Sequence, residues 1–412
     1  MKNSFANVRC DEGNPLWEKC IQRQHSLYKR NNDIRSEFER DYTRLLHSEA
    51  FRRLKHKTQV FFAPKNDHIC TRMEHVTHVS SVASTISKYL GLNDQLASAI
   101  ALGHDIGHAP FGHYGEDCLN SLLEQKQGIN PPKKFWHERN SLFFADYIET
   151  LQDPENNAKN LDLTYAVRDG IICHCGEVDE IGIKPRTEYK DLYEIKRAGS
   201  IQPFTWEGCV VKISDKIAYL GRDIEDARHY HILDMGAYRQ LREIVASCFG
   251  FKTGKTVNTT VLINDLIVDI CNKSSPEEGL CFSHENFKFI TELKKFNFAN
   301  IYNHWRLLEF QNYASNVIKT IFNTLIQTFP YARTKKIAFS LRRFPNLCTT
   351  FENWLIKYTC YDEKQRENMR FKEIGIVFDI TNEESYRKCI IEFISGMTDQ
   401  FAISVYEEII SF

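Results

Sequence analysis

Leu102-Gly103-His104-Asp105-Ile106-Gly107-His108-Ala109-Pro110-Phe111-Gly112-His113-Tyr114-Gly115-Glu116 packs three histidines and two carboxylates among glycines, a composition that no hydrophobic core requires. His104 and Asp105 come after the apolar segment 96–102, in which Leu96, Ile100 and His104 recur at helical spacing, so the pair is predicted at the end of a buried helix. Imidazole beside carboxylate suits a borderline or hard divalent metal. Gly107, Pro110, Gly112 and Gly115 interrupt the chain beyond Asp105, which predicts a turn folding His108 and His113 back over whatever the His-Asp pair holds. A histidine-rich surface loop would account for the glycines but not for a His-Asp pair behind an apolar helix.

On the N-terminal side, Thr71-Arg72-Met73-Glu74-His75 opens a second helix, whose Val79, Val82, Ala83, Ile86 and Leu90 form one apolar face. His75 and His78 share a side of that helix, and one of them is expected to bind metal. Arg72 lies one turn earlier, where it can neutralise an anionic substrate. A third helix resumes at Val210 and carries Asp215, Tyr219 and Asp223 at i, i+4 and i+8 on one side. An aspartate within this apolar run is costly to bury unless it is paired or coordinates a metal, so Asp215 is a natural further ligand.

The other elements are less distinctive. Residues 37–57 read as helix through Phe38, Tyr42, Leu45, Leu46, Phe51 and Leu54, with Arg52, Arg53 and Gln59 placed just before the metal-ligand segment. His137 starts an apolar helix, a position where histidine is more often a cap or packing residue. His174 sits on an apolar stretch and is a candidate for a second metal site. The segment 151–162 reads as an exposed connection, and 182–208 as irregular. Gly250-Phe-Lys-Thr-Gly254-Lys255-Thr256 is one residue short of a phosphate-binding loop and reads as an interhelical loop, and Arg333-Thr-Lys-Lys336 reads as a small basic patch.

Composition excludes several classes. Lys plus Arg number 53 and Asp plus Glu 54, a net charge of -1, so nothing draws the whole chain to nucleic acid or an anionic membrane. The 13 cysteines contain no Cys-x-x-Cys pair, which argues against a thiolate zinc site and for reduced core residues. No membrane span or signal peptide is legible, and a cytoplasmic location is expected. An all-α fold is predicted, with an arm over 1–35, a core over 36–235 and a C-terminal helical region over 236–412 packed on it; a few short strands could fall within 55–70 or 178–205.

These motifs, taken in order, resemble the HD-domain metal phosphohydrolases and, more narrowly, the deoxyguanosinetriphosphate triphosphohydrolase family. The resemblance also covers Phe-Glu-Arg-Asp-Tyr from Phe38, Ala-Phe-Arg-Arg-Leu-Lys-His-Lys-Thr-Gln-Val-Phe from Ala50, and His-Glu-Arg-Asn-Ser from His137. It continues through Ser214 to Asp226 and Ser-Gly-Met-Thr-Asp-Gln-Phe-Ala from Ser395. It implies that His75, His104, Asp105 and Asp215 hold one divalent cation, Mn2+ or Mg2+, in a shell that would also accept Fe2+, Co2+, Ni2+ or Zn2+.

It further implies hydrolysis of a deoxynucleoside triphosphate, dGTP foremost, to the deoxynucleoside and inorganic triphosphate. His113 would protonate the departing 5' oxygen with Glu116 orienting it, and His108 and His137 would face the phosphates. Arg72 and Lys216 would bind phosphate oxygens, Tyr219 and Asp223 the sugar, and Gln59 and Arg53 the base or phosphates. A homo-oligomer, hexamer or tetramer, and a nucleotide or single-stranded DNA effector are also implied, with no membrane partner. The chain departs from the family at Gln400-Phe401, where Arg-Tyr is usual, and at His78. Two rival readings remain: an HD phosphohydrolase of nucleoside monophosphates or cyclic nucleotides, and a nucleic-acid-binding or regulatory protein on the same scaffold.

Overall fold

The structure is a computed structural model and describes residues 3–28, 33–62, 68–124, 134–176, 182–250, 258–332, 334 and 336–411. Its helices begin where local chemistry says they should. Ser36 and Glu39 form a capping box that starts α1 (Glu37–His47), and Thr71 and Glu74 form a second one that starts α2 (Arg72–Leu90). Gly91, at φ 87°, ends α2 in the left-handed conformation that glycine adopts freely. Asn93 then accepts from Gln95 N and Leu96 N to cap α3 (Asp94–Gly103).

α3 is the centre of the fold. α1, α2, α6 (Tyr165–Cys173) and α7 (Trp206–His229) all pack on it, and α2 also runs against α7. Leu96, Ala97 and residues 99–103 are buried. Close approach depends on small residues: a Cβ on Gly170 would lie 2.5 Å from Ile100 Cδ1, and one on Gly103 2.6 Å from Ile171 Cδ1. The end of α3 therefore delivers His104 and Asp105 into the middle of a helical cluster. Two more elements flank it, α4 (Gly112–Glu124) and α5 (His137–Phe143).

The later helices cover this cluster. α8 (Met235–Phe249), α9 (Thr259–Lys273) and α10 (His284–Asn297) gather near α7. α11 (Trp305–Ile326) lies against α4 and against α13 (Glu383–Ser395) and α14 (Asp399–Ile410), while α12 (Pro345–Tyr358) packs on α14. The all-α expectation holds. No helix among the described residues is long and apolar enough to cross a membrane.

Three local features add to or correct these expectations. The first residues of the expected arm are packed onto the helices: Phe5 is fully buried against Trp206, ring centroids 5.0 Å apart, and Cys10 N donates to Glu207 Oε1 at 3.0 Å. The strand pair lies elsewhere than expected, where Thr150–Gln152 (β1) pairs antiparallel with Ala158–Asn160 (β2), inside the stretch read as a plain connection. Asp153 makes that turn by accepting from the amides of Glu155 and Asn157. The ranges 55–70 and 178–205 contribute only the isolated bridges Thr58 with Thr71 and Ile183 with Leu280 among the described residues. Finally, the helical stretch from Glu37 breaks at Ser48, which caps a new short helix Glu49–Arg53. Residues 251–257, 333 and 335, which carry the phosphate-loop-like motif and part of the basic patch, lie outside the described residues.

Candidate functional site

Three of the four sequence-predicted ligands converge between α2, α3 and α7. His75, His104 and Asp215 place ligand atoms within 4.8 Å of one another. His75 Nε2 lies 2.9 Å from Asp215 Oδ1, and His104 Nε2 lies 4.0 Å from the same oxygen. Asp105 joins them through Oδ1, 3.8 Å from His104 Nε2, while its Oδ2 is held by Arg72 at 2.5 Å. His78 is only partly buried and belongs to no such group among the described residues.

The protonation pattern suits a cation. His104 Nδ1 lies 2.7 Å from the carbonyl of Ala101, which makes it the protonated nitrogen. Its Nε2 is buried and has no hydrogen-bond partner, an arrangement that a metal ion would complete. Burial pushes the His104 imidazole down to about 4, so it stays neutral. Burial alone would raise Asp215, but the hydrogen bond from His75 and the neighbouring imidazoles hold it below the usual carboxylate range. Asp105 is likewise held low against burial, chiefly by Arg72. His75, raised against burial by the hydrogen bond to Asp215, faces neutral His104, and these side chains could hold a metal ion together with Asp215.

A second cluster forms the adjoining wall. His108, His113, Glu116 and His137 also bring ligand atoms within 4.8 Å. His108 and His137 stack with ring centroids 4.3 Å apart. Glu116 sits between two histidines, with Oε2 3.0 Å from His137 Nδ1 and 3.6 Å from His113 Nδ1. His113 is 72% exposed and thus open to a ligand. Burial would lower His137, yet Glu138 and Glu116 raise it to about 10, so it is a cation at neutral pH. Burial and then Arg72 drive His108 well below its ordinary value.

The remaining predicted residues divide. Arg72 Nε is buried and without a hydrogen-bond partner, while another nitrogen of the same guanidinium holds Asp105. Gln59 Oε1 is in the same state, and its backbone carbonyl is near Gly112. Tyr219 and Asp223 come after Asp215 along α7, with Lys216 beside it. Burial pushes Asp223 up to about 7. Arg53 is paired through its guanidinium with Glu149 at 2.7 Å, while its Nε, like that of Arg72, is buried and without a hydrogen-bond partner.

Two neighbours, Tyr302 and Glu138, were missed by sequence reading. Tyr302 donates to Asp223 Oδ2 from a π-helical turn, Phe298–Tyr302, and nothing in its local pattern distinguished it. Glu138 is buried next to His137, its Oε1 3.5 Å from His137 Nε2. His174, the candidate for a second metal site, lies with its ring centroid 4.8 Å from that of His104. Its Nδ1 is 2.7 Å from the carbonyl of Ile171, the orientation that frees Nε2.

Comparison with known proteins agrees with this geometry. The HD domain family matches residues 72–220, the span from Arg72 through α7 as far as Leu220. A deoxyguanosinetriphosphate triphosphohydrolase-like protein of Caldanaerobacter subterraneus is 32% identical over 92% of this chain and 86% of its own. The protein of the same name from Rickettsia felis is 31% identical over 93% of this chain and 94% of its own. A third, from Clostridium tetani, is 36% identical over 72% of this chain and 75% of its own.

Proposed function

Because the chain belongs to the HD-domain family of deoxyguanosinetriphosphate triphosphohydrolase-like proteins, we propose that it hydrolyses deoxynucleoside triphosphates, dGTP foremost, to the deoxynucleoside and inorganic triphosphate. The observation that carries this reading is the convergence of His75, His104 and Asp215 beside the imidazole wall of His108, His113 and His137. Those three with Asp105 would hold one divalent cation, Mn2+ or Mg2+, with Fe2+, Co2+, Ni2+ or Zn2+ also suited to the donors. A cation bound there supplies Lewis acidity and lowers the pKa of water.

The chain's own residues have the remaining tasks. Water adds to the α-phosphorus as its bond to the 5' oxygen breaks, and His113 gives a proton to that oxygen, oriented by Glu116. The triphosphate carries more charge than one dication neutralises, so Arg72 and Lys216 bind its oxygens, with the free Nε of Arg72 pointing to that use. His137, cationic between two glutamates, and His108, stacked on it, face the phosphates. The Tyr219 ring lies against the deoxyribose and leaves no room for a 2'-hydroxyl, while Asp223 accepts from the 3'-hydroxyl. Gln59, with an unpaired carbonyl oxygen, contacts base or phosphate. Arg53, paired with Glu149 but with an unpartnered Nε, is the other proposed contact to base or phosphate.

Incubation of the purified protein with each dNTP and NTP plus Mn2+, and separation of the products, tests the proposal. Inorganic triphosphate with free deoxynucleoside is expected. Activity restricted to monophosphates or cyclic nucleotides would replace this reading with the other HD phosphohydrolase chemistry, and absence of any turnover would favour a regulatory protein.

A further inference from the structure

The histidine-bearing loop between α3 and α4 is fastened almost entirely by its backbone. Ser141 Oγ donates to the carbonyl of His104 at 2.7 Å and accepts from Gly107 N at 3.0 Å. Asn140 Nδ2 donates to the carbonyl of Gly107 at 2.7 Å. The far half of the loop is held from two distant places in the chain. Lys57 Nζ donates to the carbonyl of His108 and, at 2.9 Å, to that of Ser395. Phe111 N donates to Asp399 Oδ1 at 2.9 Å, and the other oxygen of Asp399 accepts from Thr58 N at 2.9 Å and from the Thr58 hydroxyl. Lys57 and Asp399 are both buried.

What Asp399 holds is an awkward piece of backbone. Phe111 has φ 63° and Gly112 has φ 65°, two consecutive left-handed residues at the start of α4, the helix that carries His113 and Glu116. Gly112 tolerates this, but for a bulky residue such as phenylalanine it is an outlier that the surroundings must enforce. Asp399 also reaches the segment leading to Arg72, since Thr58 bridges to Thr71 and Arg72 N donates to the carbonyl of Lys57 at 3.1 Å.

We propose that Asp399, the first residue of the C-terminal helix, is a positioning residue for the reaction: by gripping the Phe111 amide and Thr58 together, it sets where His113 and Glu116 stand beside His108 and His137. This rests on the proposed hydrolysis, in which His113 delivers the proton. The carboxylate is specific to the task. Two N–H groups and a hydroxyl converge on its two oxygens, whereas an asparagine offers one acceptor oxygen and would turn its own NH2 toward one of those donors. Gln400 and Phe401, where the chain departs from its family, leave this grip intact, because it runs through Asp399 alone.

The test is Asp399→Asn in the full chain with Mn2+ and dGTP. Expected are a kcat at least tenfold lower, a KM within threefold of the parent and an unchanged content of bound Mn2+, because the proton donor's loop is held directly by Asp399 whereas Arg72 stays fixed by its own bond to Asp105. An unchanged kcat, or a loss of metal in parallel with activity, overturns the proposal. Amide hydrogen exchange provides an arm that needs no turnover: peptides spanning residues 108–113 should exchange faster in the variant, with α2 and α3 unchanged, and unaltered or uniformly faster exchange counts against it. Should the parent form no triphosphate from any dNTP, the proposed hydrolysis fails while this exchange result still judges the tether. If Asp399→Asn does not fold, Thr58→Val, which removes one donor and keeps the carboxylate on Phe111, should show the same kcat-selective signature at smaller size, and its absence overturns the proposal.

Discussion

His75 Nε2 and Asp215 Oδ1 lie 2.9 Å apart, so α2 and α7 meet through a donor and an acceptor at a point where two packed helices would ordinarily place apolar side chains. That contact brings together proposed ligands far apart in sequence. Asp215→Ala should strip the bound metal and lower dNTP hydrolysis on the order of 1000-fold or more, since metal-derived stabilisation amounts to several kcal/mol. Metal content by elemental analysis, measured beside turnover, checks it; full activity in a metal-free variant would contradict the assignment.

His113 is exposed and touches no predicted ligand, so its removal should leave the cation in place. His113→Ala is expected to lower kcat about 100- to 10,000-fold, the range of a lost general acid, with parent-like metal content. Glu116→Gln should have a smaller effect in the same direction, because Glu116 orients His113 and also holds His137. Steady-state kinetics with parallel metal analysis separates these outcomes from loss of the cation.

Gly107 has no room for a side chain. A Cβ there would lie 2.1 Å from Ser141 N, so Gly107→Ala must push the loop away from α5. A loss of about 1–3 kcal/mol is expected, the usual cost of overpacking, together with reduced activity. Chemical denaturation of parent and variant measures the first, and an unaltered midpoint would refute it.

Glu392 is a buried acid away from the metal ligands. Burial pushes it up to about 7 from 4.5, against the pull of Lys388, Ser395 and Arg139. A carboxyl raised in the folded state contributes its stability below pH 4.5 and loses it progressively up to pH 7. Glu392→Gln removes that dependence. The variant should therefore gain on the order of 2–3 kcal/mol over the parent at pH 8, with the gain vanishing near pH 4.5. Denaturant melts at both pH values decide it; an equal difference at each would dispose of the prediction.

His174 bears on metal number. The functional proposal holds one cation per chain, so elemental analysis of the parent should give one, and His174→Ala should leave that value unaltered. A value of two falling to one in the variant would instead assign His174, in its Nε2-free orientation toward His104, to a second ion.

Much of the fold was legible because it is periodic. The 3.6-residue rhythm located the end of α3, the apolar face of α2 and the Asp215, Tyr219, Asp223 series on α7, and those three helices position the proposed ligands. What was not legible depends on partners that leave no local pattern. Phe5 sits in a polar stretch and is buried through distant partners, the Trp206 ring and the end of α2, where its amide donates to the carbonyl of Leu90. Tyr302 and Asp399 look like ordinary residues until Asp223 and Phe111 come beside them. The pairing of Arg53 was illegible for the same reason: its partner Glu149 lies nearly a hundred positions on, after the π-helical turn Phe144–Ile148. The β1 and β2 hairpin escaped because Asp153-Pro154-Glu155-Asn156-Asn157 reads as breakers whether or not strands flank it.

α7 is one uninterrupted helix from Trp206 to His229. At 1.5 Å per residue, Asp215 and Asp223 are spaced about 12 Å apart on a stiff rod. Any tilt of that rod shifts the cation's carboxylate and the proposed sugar contact by related amounts, so discrimination among sugars and reaction rate are mechanically geared to each other. Evolving one without the other would require bending the rod between them.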